Sequence, residues 1–255
     1  MAIHSTEAIC ILKAPFGETS QVIHWITRDF GRVACLAKGA YRDTNRFEGN
    51  DDLLNLSRIT FSIRPGQGLG LLRERKLIDY FYGLRKDLGR FAAAYLILDA
   101  LRRSIQEGQK TEGLFESLRQ TLRLLSGCKG TADIILFTFL GRFLRMIGFE
   151  PVLSRCTSCD RDAAGANLLY IDPRQGGVVC RNCRSDMRQG VVISGETARV
   201  IESSGSMDVE AVSFGPRAGA VSRELWAFFE FFLTFILERK LETFDFARIH
   251  LARDD

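Results

Sequence analysis

Four cysteines fall in the stretch Arg155 to Asp186, RCTSCDRDAAGANLLYIDPRQGGVVCRNCRSD, as two Cys-x-x-Cys pairs, Cys156/Cys159 and Cys180/Cys183. Each pair can bite a metal ion from one tight turn, and the twenty intervening residues let two such turns close a tetrahedron. Four thiolates saturate a zinc ion and leave no coordination position for water or substrate. The expected role of Zn2+ is therefore structural, bracing a small ribbon with Leu168–Ile171 and Gly177–Val179 as strands. A redox dithiol needs only one Cys-x-x-Cys and would leave the second pair unexplained. Cys10, Cys35 and Cys128 sit among apolar or small residues and read as buried bystanders.

Other reactive constellations are missing. Gly66-Gln-Gly-Leu-Gly70 matches neither phosphate-loop layout and reads as a turn between two strands. His4, His24 and His250 have no neighbours at metal or triad spacing, and Asp51-Asp52 reads as a solvated pair. No nucleophile motif stands out, so an enzyme is not expected. What remains is a basic set near the N-terminus: Lys13, Arg28, Arg32, Lys38, Arg42 and Arg46, interleaved with Trp25, Phe30, Tyr41 and Phe47. Cations that track a backbone beside aromatics that stack on bases suit single-stranded nucleic acid. A core tryptophan with merely solvated cations fits the same spacing equally well.

These residues need elements to hold them. Ala8–Leu12, Val22–Thr27, Val33–Lys38, Arg58–Arg64 and Leu69–Ile78 read as five short strands, with Arg28–Gly31 as a tight turn. Five strands in about eighty residues fit an OB-type barrel. A helical period follows, with Leu84, Leu88, Phe91, Tyr95, Leu98, Leu101 and Ile105 on one stripe and Phe115, Leu118, Leu122 and Leu125 on a shorter helix. Asp133–Ile147 is apolar nearly all round and stops at Gly148. After the cysteines, Val192–Ser204 reads as a helix capped by Ser194, and Ser222–Leu241 as a longer one. The expected class is α+β and multi-domain: residues 1–80 an OB-fold, 81–149 a helical domain, 150–190 an inserted zinc ribbon, and 191–255 helices completing the bundle.

The bulk numbers agree with a globular chain of 255 residues, 46% hydrophobic and 26% charged. No basic-then-apolar leader opens the sequence, and Leu225–Leu237 is too short to span a bilayer, so no membrane association is expected. The expectation is a soluble protein of a reducing compartment, where paired cysteines more often bind metal than form disulfides. The first 190 residues carry 28 basic against 20 acidic groups, the remainder 7 against 11. That asymmetry points to a polyanionic partner for the front of the molecule.

Three further stretches are distinctive: Ile11-Leu-Lys-Ala-Pro-Phe-Gly-Glu-Thr19, Ile26-Thr-Arg-Asp-Phe-Gly-Arg-Val33, and Ala37-Lys-Gly-Ala40 with Arg42 and Arg46. Together they resemble the N-terminal domain of RecO, the bacterial recombination-mediator family of DNA repair. Gly148-Phe-Glu-Pro-Val-Leu153, leading into Cys156, resembles the entry to that family's zinc module. The sequence departs at Asp160, where a glycine commonly follows the second cysteine, and at Tyr41, within what is often a basic run.

The resemblance implies binding of single- and double-stranded DNA and annealing of complementary strands in the cytoplasm, on the nucleoid. It also implies a complex with RecR, docking on the C-terminal tail of single-strand-binding protein, and help in loading RecA in the RecF pathway. Four to six phosphate contacts to single strands would give a salt slope of roughly −3 to −4. The acidic, apolar tail would need a basic-rimmed groove, for which Arg102, Arg103, Arg119, Arg123, Arg142 and Arg145 are candidates. The competing reading is a zinc-ribbon interaction adaptor with incidental DNA contact, which would not anneal strands unaided.

Overall fold

The computed structural model describes residues 2–42, 52–64, 66–127, 132–184, 190–206 and 219–251. The chain is mixed α+β and divides into two compact units. Met1–Ala94 with Leu98–Gly127 form the first, and Tyr95–Ile97 with Cys128–Asp255 form the second. No helix among the described residues is long and apolar enough to cross a membrane.

The first unit opens with five strands, β1 (Ala2–Phe16), β2 (Ser20–Thr27), β3 (Gly31–Ala37), β4 (Leu56–Ile63) and β5 (Leu69–Asp79). They bond in the order β1-β2-β3-β5-β4, and β4 returns to β1, so the sheet closes on itself. All these pairs are antiparallel except β3 with β5, which is parallel. β1 is far longer than the apolar run Ala8–Leu12. Its first half pairs with β4 and its second with β2, so the polar residues His4 to Glu7 belong to the strand although they carry no hydrophobic signal.

Alternation sends Ala8, Cys10, Ile23, Trp25, Cys35, Ile59, Phe61 and Leu72 into one core. Each large side chain there contributes about 1.5–3 kcal/mol by leaving water. Gly66, with φ +78°, lies in the turn between β4 and β5, in keeping with a turn rather than a phosphate loop.

A 3-10 turn, Tyr82–Lys86, leads into α1 (Leu88–Ser104) and α2 (Leu114–Gly127). Asp87 caps α1 by accepting from the Arg90 N–H at 2.9 Å. The single stripe expected for α1 is not what forms. Ala92, Ala93, Leu96, Ile97, Ala100 and Leu101 are all buried, while Leu88 is exposed. Alanines on the flanks leave nearly every side of the helix apolar, and a helix of that kind is buried all round.

The second unit comprises α3 (Ala132–Met146), the strands β6 (Leu168–Asp172), β7 (Gly177–Val178) and β8 (Val191–Ser194), then α4 (Gly195–Ser206), α5 (Gly219–Ile236) and α6 (Thr243–Leu251). Just past the end of α3, Gly148 adopts φ +81° and donates to Arg145 O at 3.0 Å, followed by Phe149 N to Leu144 O at 2.8 Å. Rings lock α3 to α5: Phe137 stacks on Phe229 at 5.5 Å and meets Trp226 edge-on at 4.9 Å.

Two boundaries differ from expectation. Val192 and Ile193 pair with Tyr170 and Leu169 as strand rather than helix, because β6 offers them a partner. Ser194 still caps the helix that follows, accepting from Thr197 N at 3.2 Å. The final long helix stops at Ile236 and is followed by a turn in which Glu238 has φ +54°, so Leu241 lies outside it and α6 is a separate helix.

Candidate metal centre and nucleic-acid interface

Cys156 and Cys159 lie on one tight turn, and Cys180 and Cys183 on another. In the first, Asp160 N bonds Cys156 O at 2.9 Å, and Cys156 N bonds Arg161 O at 2.8 Å. Asp160 takes φ +61°, the left-handed geometry that a glycine would adopt without cost, and pairs with Arg155 at 3.2 Å. The second turn closes through Cys183 N to Cys180 O at 3.0 Å. Thr157 N to Val178 O at 2.9 Å and the Val152–Gly177 bridge tie the first turn to β7.

The four Sγ atoms lie within 4.8 Å of one another, and Cys159 and Cys180 Sγ are 3.7 Å apart. Zinc–sulfur bonds of about 2.3 Å at tetrahedral angles put sulfurs about 3.8 Å apart, so this set could hold such an ion. Electrostatics point the same way. Burial opposes ionisation of Cys156, yet backbone N–H groups of Cys180, Ser158 and Cys159 outweigh it and bring the thiol down to about 6. Cys183 is pushed up to about 12, first by its contact with Cys159 and then by Cys180. Sulfurs this crowded cannot all ionise alone, and a dication removes the conflict.

The six basic residues do not share one fate. Arg32 donates to the carbonyls of Arg102 at 2.7 Å and Ile105 at 2.6 Å, where α1 runs out of internal partners. Burial lowers its pKa and that of His24, whose Nδ1 lies 3.3 Å from Glu107. Arg28 pairs with Glu7 at 2.7 Å and Glu116 at 3.0 Å. Arg28 and Arg32 both line a cleft of about 490 Å³ that Gln109 to Glu116 close from the other side. Lys13 is half-buried, 3.9 Å from Asp52.

Lys38 and Arg42 are exposed and have no carboxylate partner among the described residues. Arg46 and Phe47 lie outside the described residues, as does Cys128. Of the aromatics, Trp25 is fully buried and Phe30 packs against the sheet core, whereas Tyr41 is exposed. Sequence reasoning passed over Phe16. It is exposed and sits where the β1–β2 turn meets the turn after β3, through Tyr41 N to Thr19 O at 3.1 Å and Gly39 N to Ser20 Oγ at 3.2 Å. Its place in the Pro15-Phe16-Gly17 punctuation was the one available signal. The helical arginines divide between the units: Arg102, Arg103, Arg119 and Arg123 in the first, Arg142 and Arg145 in the second.

A closed sheet with exposed cations beside its turns, followed by helices and four clustered cysteines that could hold a metal ion, defines a modular α+β protein. Residues 1–81 match the family model described as Recombination protein O N terminal, and residues 85–243 that described as Recombination protein O C terminal. The chain is 37% identical over 178 residues to the DNA repair protein RecO of Rhodopirellula baltica, covering 69% of this chain and 66% of that one. Its likeness to the Pelotomaculum thermopropionicum RecO is 26% over 246 residues, 96% and 94% of the two chains. The Bacillus pumilus RecO is 29% identical over 197 residues, 77% and 74% of the respective lengths. The chain belongs to the RecO family of DNA repair and recombination proteins.

Proposed function

We propose that this protein is a non-enzymatic DNA-binding and strand-annealing mediator of recombinational repair. The observation that carries the proposal is the pair of exposed cations, Lys38 and Arg42, without a carboxylate partner among the described residues and on a turn bonded to the β1–β2 turn. The closed order β1-β2-β3-β5-β4 with its parallel β3–β5 pair supports an OB-type barrel, a fold that offers its sheet face and loops to oligonucleotides. Lys38 and Arg42, with Arg46 beside them in the sequence and Lys13 on β1, neutralise phosphates of two strands at once and so reduce the repulsion that opposes pairing. Arg28 and Arg32 position the surface through their internal bonds. About four contacts to a single strand give a salt slope of roughly −3, shallower than six would.

Zn2+ is the ion we assign to Cys156, Cys159, Cys180 and Cys183, where it would crosslink two turns and perform no chemistry on substrate. The partners in this reading are single- and double-stranded DNA, RecR and the C-terminal tail of single-strand-binding protein, received by the basic helices. The product of the assembly is RecA loaded on coated DNA, in the cytoplasm and on the nucleoid. The four-part division at residues 80, 149 and 190 belongs to the same proposal.

The test is annealing of complementary oligonucleotides over a salt titration, with and without single-strand-binding protein. The double variant Lys38→Ala/Arg42→Ala should anneal more slowly and lower the slope by about 1.4 in single-strand binding. Unchanged affinity and slope would remove this turn from the DNA site, and failure to anneal without a partner would favour an adaptor.

A further inference from the structure

Pleating decides which side chains the sheet shows to solvent. On β2, Ile23 and Trp25 point into the core, so Ser20, Val22 and His24 point outward. Phe16 is paired with Ser20 and therefore shares that outer face. The register Gln21↔Ala37 carried one step further sets Lys38 beside Ser20, which already accepts from Gly39 N. Phe16, Ser20 and Lys38 thus form one outward row across three strands. The next row inward, Val22, Leu36 and Leu71, is apolar and only half-buried.

The same face is closed at its other end by the chain itself. Gly108 N bonds Arg32 O at 2.7 Å, Arg32 N bonds Gln109 O at 3.2 Å, and Glu107 meets His24. Among the described residues, what stays open is a short apolar strip with Phe16, 54% exposed, at its edge and cations at Lys38 and Arg42.

We infer that Phe16 is a base-stacking residue, taking one unpaired nucleotide of a single strand while Lys38 and Arg42 hold the flanking phosphates. This rests on the DNA-binding reading above and adds strand selectivity to it. Bases in a duplex are already stacked on each other and offer no free face to the ring. An unpaired base does, and the apolar strip beside the ring shelters it from water. Duplex DNA would then meet this face through the cations alone.

The experiment compares Phe16→Ala, Phe16→Trp and Lys38→Ala/Arg42→Ala with the parent chain, using a fluorescent single strand and a duplex of equal length. Phe16→Ala should weaken single-strand binding about 5- to 150-fold, the range of one lost stack, with the salt slope and duplex affinity unchanged. Phe16→Trp should keep single-strand affinity. Loss with both DNAs alike, or with neither while the cation variant still weakens binding, would overturn the stacking role and leave the phosphate-binding reading intact. If Phe16→Ala spares DNA but lowers binding of purified single-strand-binding protein, the strip is a protein-docking surface and the inference falls. If the cation variant also binds DNA normally, the underlying reading fails first.

Discussion

Arg32 and Lys38 mark the two ends of β3, and the structure uses them for opposite purposes. Arg32 turns back onto the end of α1 and satisfies two carbonyls that the helix leaves unbonded. Lys38 projects into solvent. Arg32→Ala should therefore cost about 1.5–3 kcal/mol in urea unfolding, the range for hydrogen bonds involving a charged group, with little change in the salt slope of DNA binding. Lys38→Ala should leave stability within about 0.5 kcal/mol and lower the slope. The four clustered cysteines were readable as a set, because two Cys-x-x-Cys turns encode a local geometry that needs no distant partner. The cations were not separable, since the acceptors that remove Arg32 from the surface lie some seventy residues downstream.

At the scale of elements, two contacts stitch distant segments together. Gly31 opens β3 with φ +66°, and a Cβ there would stand 2.1 Å from Gln109 O. Gly31→Ala should destabilise the first unit by at least about 2 kcal/mol, combining left-handed strain with a backbone clash, as read by thermal unfolding. In the second unit Glu224 on α5 accepts from Ser194 N at 2.7 Å, Ser194 Oγ at 2.7 Å and Thr197 Oγ1 at 2.5 Å. Burial opposes its charge, but these donors prevail and lower its pKa below the ordinary 4.5. A carboxylate lowered on folding stabilises fully above its unfolded pKa and loses that stability as pH falls through the folded value. Acid titration of unfolding should accordingly steepen below pH 4.5, and Glu224→Gln should flatten that limb. The strand ends and the caps at Ser194 and Gly148 were visible in the sequence as turn and cap residues. β8 was not, because two valines and an isoleucine suit either helix or strand until β6 supplies a partner.

On the scale of the whole molecule, the two units depend on different forces. The first rests on a closed sheet and its core, the second on packed rings, to which the zinc we propose would add a crosslink within residues 150–184. Chelation, or Cys180→Ser, should abolish bound metal and open that stretch to protease, while hydrogen exchange across β1 to β5 stays unchanged. Protection lost equally from the sheet would contradict this division of labour. The α+β class, the clustering of four cysteines and most helices followed from spacing and periodicity, which are local properties of a chain, whereas the family was legible through the resemblance of whole motifs. Which cations stay exposed, which aromatics face solvent, and how one strand serves two neighbours were settled only on folding. Those outcomes depend on pairings between residues far apart in sequence, and no local pattern records them.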